Sequence, residues 1–263
     1  MAKGSKKRKA GQLEEGEKRG ENAYRSEVLK LLESVEDYDW HSSESMVRCE
    51  VLGGPLVEKY AWAVPDNTAL GIIKHFSPII ELGAGRGYWA SLLRDMLVDI
   101  IAVDKYNSMK THTKVLTGEP KILKKAEHAQ RALLLCYPDD RESMSMECLE
   151  HFRGETIIHI GELAITGTKA GGLQRPWGKT TCSEFQVGLM EEFHCVLRHR
   201  LTNFPTSCDY LTVWKRTPFV GAIPEEDEDD DDQSGGDGGW AVIPKGEELD
   251  LGSQAAEEYA SLL

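Results

Sequence analysis

Residues 79–87 read Ile-Ile-Glu-Leu-Gly-Ala-Gly-Arg-Gly, an apolar run ending in an acid, Glu81, with glycines following at alternate positions, Gly83, Gly85 and Gly87. Glycines in such a row let a backbone turn sharply out of a strand and approach a ligand where any Cβ would collide. Behind them Trp89, Leu92, Leu93, Met96 and Leu97 recur at helical spacing. The unit is strand, glycine turn, helix, and a turn of this kind at a strand's carboxyl end is where open α/β sheets bind nucleotides. A second acid has the right place to serve the same ligand. The β-branched run 98–104 ends in Asp104, 23 residues after Glu81, close to the spacing of an acid that accepts hydrogen bonds from a ribose diol. A carboxylate suits two hydroxyl donors because both its oxygens only accept. A solvent-facing acid that merely ends a strand is the plainer account of Asp104.

The dinucleotide fingerprint requires a glycine three places after its second, at position 88, and that position is Tyr88. The pattern Glu-x-Gly-x-Gly-x-Gly resembles instead the first motif of the class I S-adenosylmethionine-dependent methyltransferases. In that superfamily the glycine loop lies against the methionine part and ribose of the cofactor, so no pyrophosphate has to be held. The resemblance implies that Glu81 sits under the cofactor's amino-acid end. With Tyr60-Ala61-Trp62-Ala63-Val64-Pro65, Leu135-Cys136-Tyr137-Pro138 and Ile158-His159-Ile160-Gly161-Glu162, it extends to a largely uncharacterised family of methyltransferase-like proteins and covers most of residues 45–216. It further implies that Glu119, after Gly118, contacts the adenine amino group, an exposed loop acid being the alternative. The implied cofactor is S-adenosyl-L-methionine, bound by Glu81, Gly83, Gly85, Gly87, Asp104 and Glu119.

The acceptor side is less legible. Methyl transfer from a sulfonium is an in-line displacement, so the protein must align the acceptor and, where needed, remove its proton. The loop Cys136-Tyr137-Pro138-Asp139-Asp140 follows the fourth strand. Enzymes that methylate exocyclic base amines or glutamine amides carry there Asn or Asp, two prolines and an aromatic. This chain departs from that pattern, which speaks against such an acceptor. Asp139 is a candidate general base or a cap of the next helix. Glu162, at the end of the following strand, is a candidate catalytic acid or base, or a turn residue. Tyr60, Trp62 and Trp89 line a pocket or belong to the core. The glycine-rich stretch 164–179 is long enough for a substrate lid. His194, Cys195 and His199 do not form a metal site, because neighbours on a strand face opposite ways.

These residues need a scaffold. Apolar spacing predicts a helix over 24–36 and another after a capping Asp66. A strand over 78–82, a helix over 88–97 and a strand over 98–104 follow. Residues 105–130 are polar and carry little pattern apart from a short third strand within 114–119. Next come a buried strand at 131–136, a helix over 144–152 and a strand at 156–160. Thr181 and Glu184 have capping-box spacing ahead of a further helix. Two strands, 193–201 and 210–215, are linked closely enough for an antiparallel hairpin. The fold class is therefore α/β, a mostly parallel, Rossmann-like sheet of about seven strands with one antiparallel strand in a C-terminal hairpin. That is the layout the class I methyltransferase resemblance implies.

The domain reading is a basic-to-mixed disordered tail at 1–22, a helical or lid segment at 23–76, a cofactor-binding core at 77–220 and an acidic disordered tail at 221–263. Lys6 to Lys9 is a basic cluster compatible with nuclear import or a nucleic-acid contact. Glu225 to Asp232 is an unbroken run of eight acids. It accounts for most of the net charge of −13, so overall acidity does not exclude a nucleic-acid substrate. No apolar run approaches the roughly 18 residues of a membrane span. Six scattered cysteines without a secretion signal read as reduced thiols of a cytoplasmic or nuclear protein. The expected activity is methyl transfer to an acceptor the sequence does not name, whether protein, RNA or small molecule. A non-catalytic cofactor-binding adaptor is the alternative, and an NAD-dependent oxidoreductase a weaker third.

Overall fold

The computed structural model describes residues 22–34, 43–106, 110–139, 142–163, 180–204 and 207–217. The basic cluster, the acidic run and the 164–179 stretch lie outside the described residues. Seven strands form one sheet: β1 (Ile79–Leu82), β2 (Ile100–Asp104), β3 (Leu116–Thr117), β4 (Ala132–Cys136), β5 (Thr156–Gly161), β6 (Phe193–Arg200) and β7 (Tyr210–Arg216). Their order across the sheet is β3-β2-β1-β4-β5-β7-β6. β1 pairs in parallel with β2 and β4, and β5 in parallel with β4. β7 runs antiparallel to both its neighbours, β5 and β6, so it alone is reversed.

The central strands β1, β4 and β5 are buried on both faces. Along β1 the side chains alternate: Ile79 packs with Ala102, Leu134 and Ile158 under Ile73 of α3 (Asn67–His75) and Trp89 and Leu93 of α4 (Tyr88–Asp95). Ile80 and Leu82 face the other way, with Leu133, Leu135 and Ile157 against Leu149 of α5 (Met144–His151) and Phe185 and Leu189 of α6 (Ser183–Glu192). This two-sided burial explains the continuous apolar runs in place of alternation. A third cluster joins Tyr24 and Val28 of α1 (Ala23–Glu33) to Tyr60, Val64 and Tyr88, so the N-terminal helices rest beside the glycine turn.

Several local expectations need correction. The helix after the glycine turn ends at Asp95; Leu97 adopts φ 63 and is 93% exposed, so it terminates the helix and does not extend its apolar face. Residues 43–59 form a 17-residue helix, α2, although Gly53, Gly54 and Pro55 lie inside it. Gly53 is where the chain passes Phe204: a Cβ there would stand 3.0 Å from that ring. The polar stretch before β4 holds two 3-10 helices, Pro120–Lys124 and Ala126–His128. The capping box at Thr181 does not form. Cys182 is the N-cap of α6, without a side-chain cap bond, and Glu184 instead accepts from Ser183 Oγ at 3.0 Å. Asp66 caps α3 as expected, its Oδ1 accepting from Ala69 N at 2.7 Å.

Candidate functional site

The glycine turn leaves β1 with all three glycines in the left-handed region, at φ 73, 52 and 71 for Gly83, Gly85 and Gly87. L-residues adopt that conformation only at a cost. The three differ in what surrounds them. A Cβ on Gly87 would press on Val115 at 2.7 Å and one on Gly83 on Met144 at 2.9 Å, whereas a Cβ on Gly85 would meet nothing within 4 Å. Gly87 is thus demanded by packing, while at Gly83 the contact is only with the mobile end of the Met144 side chain and the left-handed backbone is the stronger requirement. Gly85 opens onto free space, so only its backbone conformation, and no neighbour, calls for glycine there.

Asp104, at the end of the adjacent strand, organises this turn. Its Oδ2 accepts from Gly85 N at 2.7 Å and its Oδ1 from Tyr106 N at 2.8 Å. Both oxygens retain lone pairs for further donors. Arg86, on the outer side of the turn, donates to the Glu58 and Lys110 carbonyls and ties the turn to the end of α2.

Beside the turn is a cleft of about 410 Å³ lined by Gly83, Asp104, Gly118 and Glu119. Three stretches far apart in sequence meet there because β1, β2 and β3 are neighbours with their carboxyl ends on one side. A fourth wall comes from the start of α5, where Glu142 and Glu147 face the same space; sequence reasoning did not single these out. The only signal for them was their place at the start of the helix after β4. Four carboxylates and one cation, Lys105, line the cleft. Its field is that of a site for a cationic ligand and is hostile to polyphosphate.

Glu81 lies one residue behind the turn, on the α3–α4 face of the sheet. It is 1% exposed, and its Oε2 has no hydrogen-bond partner. Burial pushes its carboxyl up to about 8, with Arg94 opposing the shift and Asp104 adding to it. Burial of this kind favours the neutral form of the acid.

The two catalytic candidates do not line this cleft. Asp139 is exposed and does not cap α5, whose N-cap is Ser143. Glu162 is 4% exposed, and its Oε1 accepts from Cys208 N at 2.8 Å, linking the end of β5 to the approach to β7. Neither is among the residues lining the cleft. Of the aromatic candidates, Trp89 and Tyr60 are core at 2% and 8% exposure, while Trp62 is 63% exposed. No group of three or more metal-ligating side chains occurs among the described residues. His199 instead pairs with Asp66 at 3.0 Å.

No protein-family model matches the chain, and no curated protein matches it. Among solved structures it is similar to a 1,6-didemethyltoxoflavin-N1-methyltransferase of Burkholderia thailandensis, at 15% identity and a TM-score of 0.40, covering 68% of this chain and 91% of that one. It is similar also to the O-methyltransferase TomG of Streptomyces achromogenes, at 12% identity and 0.40, covering 66% and 90%. A third, the methyltransferase domain of a bacterial CtHen1, stands at 15% and 0.38, covering 56% and 97%. Likenesses this distant carry nothing on activity, and the fold assignment rests on the strand order. Seven strands in the order β3-β2-β1-β4-β5-β7-β6 with β7 alone reversed make this the fold of the class I methyltransferases.

Proposed function

We propose that this protein is an S-adenosylmethionine-dependent methyltransferase whose cofactor lies in the cleft between the glycine turn and Glu119. The observation that carries the reading is the convergence on one 410 Å³ space of Gly83, Asp104 and Glu119, three of the six residues that the resemblance implied for one ligand; Glu81, Gly85 and Gly87 are not among the residues lining it. The fit rests on three further features. Gly85 faces open space, the buried Glu81 Oε2 lacks a partner, and carboxylates outnumber cations on the cleft wall. A cofactor bearing an ammonium and a sulfonium suits that charge; a pyrophosphate-bearing dinucleotide does not.

In this reading Asp104 accepts from the ribose hydroxyls while holding Gly85 N, and Glu119 accepts from the adenine amine. Glu81 meets the amino-acid end from below. When bound, the cofactor would supply an electrophilic methyl group on sulfur for in-line transfer to an acceptor lone pair. The protein's share is alignment and exclusion of water. Glu162, committed to Cys208 N, acts by holding the β5–β7 junction, and Asp139 is the group left to take a proton where the acceptor has one to lose.

The test is calorimetric titration with S-adenosylhomocysteine, with NADH as control, followed by labelled methyl donor and candidate acceptors. Micromolar binding of the homocysteine compound alone is expected. Tight NADH binding, or no binding by a folded sample, refutes the assignment. Binding without turnover on any acceptor would favour the non-catalytic adaptor.

A further inference from the structure

Next to the cofactor cleft the surface carries a feature the reading above does not use. Trp62 is 63% exposed, although its neighbours Ala63 and Val64 are 0% and 1% exposed. Its indole is not loose: it lies 5.6 Å from the Tyr137 ring at an interplanar angle of 13°. Tyr137 is in turn fixed from below. It sits directly after β4 at φ 56, a left-handed conformation unusual for a residue with a side chain. Its N–H donates to Ile160 O at 2.8 Å, and Pro138 follows. Backbone strain of this kind persists only where the surroundings impose it, and it collects at functional sites.

The location is equally specific. Tyr137 leaves the sheet one strand over from the glycine turn. Leu82 stands opposite Leu135 across the β1–β4 ladder, and Ala84 and Tyr137 pack on the same core cluster. The cofactor cleft is walled by the ends of β1, β2 and β3 and by the start of α5, and neither Trp62 nor Tyr137 is among its lining residues, so the aromatic pair stands beside the cleft and outside it.

Resting on the methyltransferase reading, we propose that Trp62, backed by Tyr137, is the stacking platform for the acceptor, and that the acceptor is a planar nitrogen-containing aromatic ring. A rigid indole offers a large flat face at little entropic cost, and offset stacking rewards unsaturated rings over saturated ones of equal size. The groups beneath point to an acceptor that brings its own lone pair. Burial holds the Cys136 thiol and the Tyr137 phenol protonated, and the carboxylates Asp209 and Glu162 add to the effect on Tyr137. Neither group is a base, and the negative charge of those carboxylates favours the positive charge that a ring nitrogen gains as it takes the methyl group.

The experiment uses the full chain saturated with S-adenosylhomocysteine, so that rings cannot enter the cofactor cleft. Saturation-transfer NMR then compares nicotinamide with cyclohexanecarboxamide, a saturated ring bearing the same amide, and with a five-nucleotide single-stranded RNA. Binding of nicotinamide but not the saturated ring is expected, retained in Trp62→Phe and weakened at least tenfold in Trp62→Ala, whose exposed position leaves folding intact. RNA binding with the same dependence on Trp62 would identify a base within a strand as the source; its absence beside nicotinamide binding would identify a free ring. Equal binding to the saturated ring, unchanged binding in Trp62→Ala, or no binding by either aromatic probe overturns the platform. S-adenosylhomocysteine affinity, measured on the same samples, is expected to be unchanged in Trp62→Ala. Its absence in the wild type would sink the methyltransferase reading instead.

Discussion

Replacing Glu81 by Gln isolates the most unusual electrostatic feature of the site. The carboxyl ordinarily gives up its proton near 4.5 and, buried beneath the glycine turn, does so near 8. The folded state therefore holds the proton that the unfolded state has released. Between these values unfolding releases a proton, and the contribution of Glu81 to stability is fully present below pH 4.5 and declines as pH rises toward 8. At pH 7 the loss is about 3 kcal/mol, since each pH interval between the unfolded value and the working pH costs about 1.4 kcal/mol. Gln is nearly isosteric and does not ionise, so Glu81→Gln flattens this part of the pH dependence. The assay is urea denaturation of both proteins from pH 5 to 8. Parallel curves across that window would refute the argument. The same carboxyl links stability to binding. At pH 7 a group with a pKa near 8 is about nine-tenths protonated, and a ligand ammonium beside it would drive that proton off. Calorimetry of S-adenosylhomocysteine in phosphate and in Tris, buffers of different protonation enthalpy, should report release approaching one proton in the wild type and none in Glu81→Gln. Identical enthalpies in the two buffers for the wild type would remove Glu81 from the ligand's surroundings.

Gly85→Val places a branched side chain in the free space beside the turn, at φ 52; S-adenosylhomocysteine affinity should vanish in calorimetry while the melting transition survives, lowered by about 1–2 kcal/mol. Asp104→Asn should weaken the same ligand by about 1–3 kcal/mol, since an amide accepts through one oxygen only and Gly85 N and Tyr106 N compete for it; an unchanged Kd would make Asp104 a purely structural acid. Asp66→Ala removes the cap of α3 and the partner of His199, with an expected loss of about 1–2 kcal/mol in urea titration at pH 7. Burial pushes Asp66 up, but the bonds from His199 and Ala69 N outweigh it and hold its carboxyl below the ordinary value. Its contribution is accordingly present above pH 3.8 and fades as pH falls through the lower folded value, so the wild type and the variant should converge in acid.

What local order dictates was legible in the sequence alone. The apolar runs became β1, β2, β4 and β5 because strands buried on both faces must be apolar throughout. The glycines at alternate positions announced a turn because only glycine adopts three left-handed conformations in five residues cheaply. The Asp66 cap was readable because its bond reaches only three residues along the chain. The single reversed strand followed from a short hairpin link. What failed depended on contacts remote in sequence. Helix α2 runs through Gly53, Gly54 and Pro55 against their propensity; Phe204 packs against Gly53, while a Cβ on Gly54 would meet nothing within 4 Å. The apparent capping box at Thr181 has the spacing without the conformation.

The site divides in the same way. The resemblance assigned Glu81, Gly83, Asp104 and Glu119 to one ligand, but nothing in the sequence announced that Glu142 and Glu147 make the far wall of the cleft acidic. The sequence pointed to Glu162 by its place at a strand end and did not reveal that Cys208 N, 46 residues away, occupies the carboxylate. It grouped Trp62 with Trp89 as aromatics, whereas one is exposed on Tyr137 and the other buried in the core. Residue type and local spacing determine what chemistry a chain carries and where it bends. Which groups meet, and which are already engaged, is decided by the order of strands across the sheet, because only that order brings distant segments within a hydrogen bond of one another.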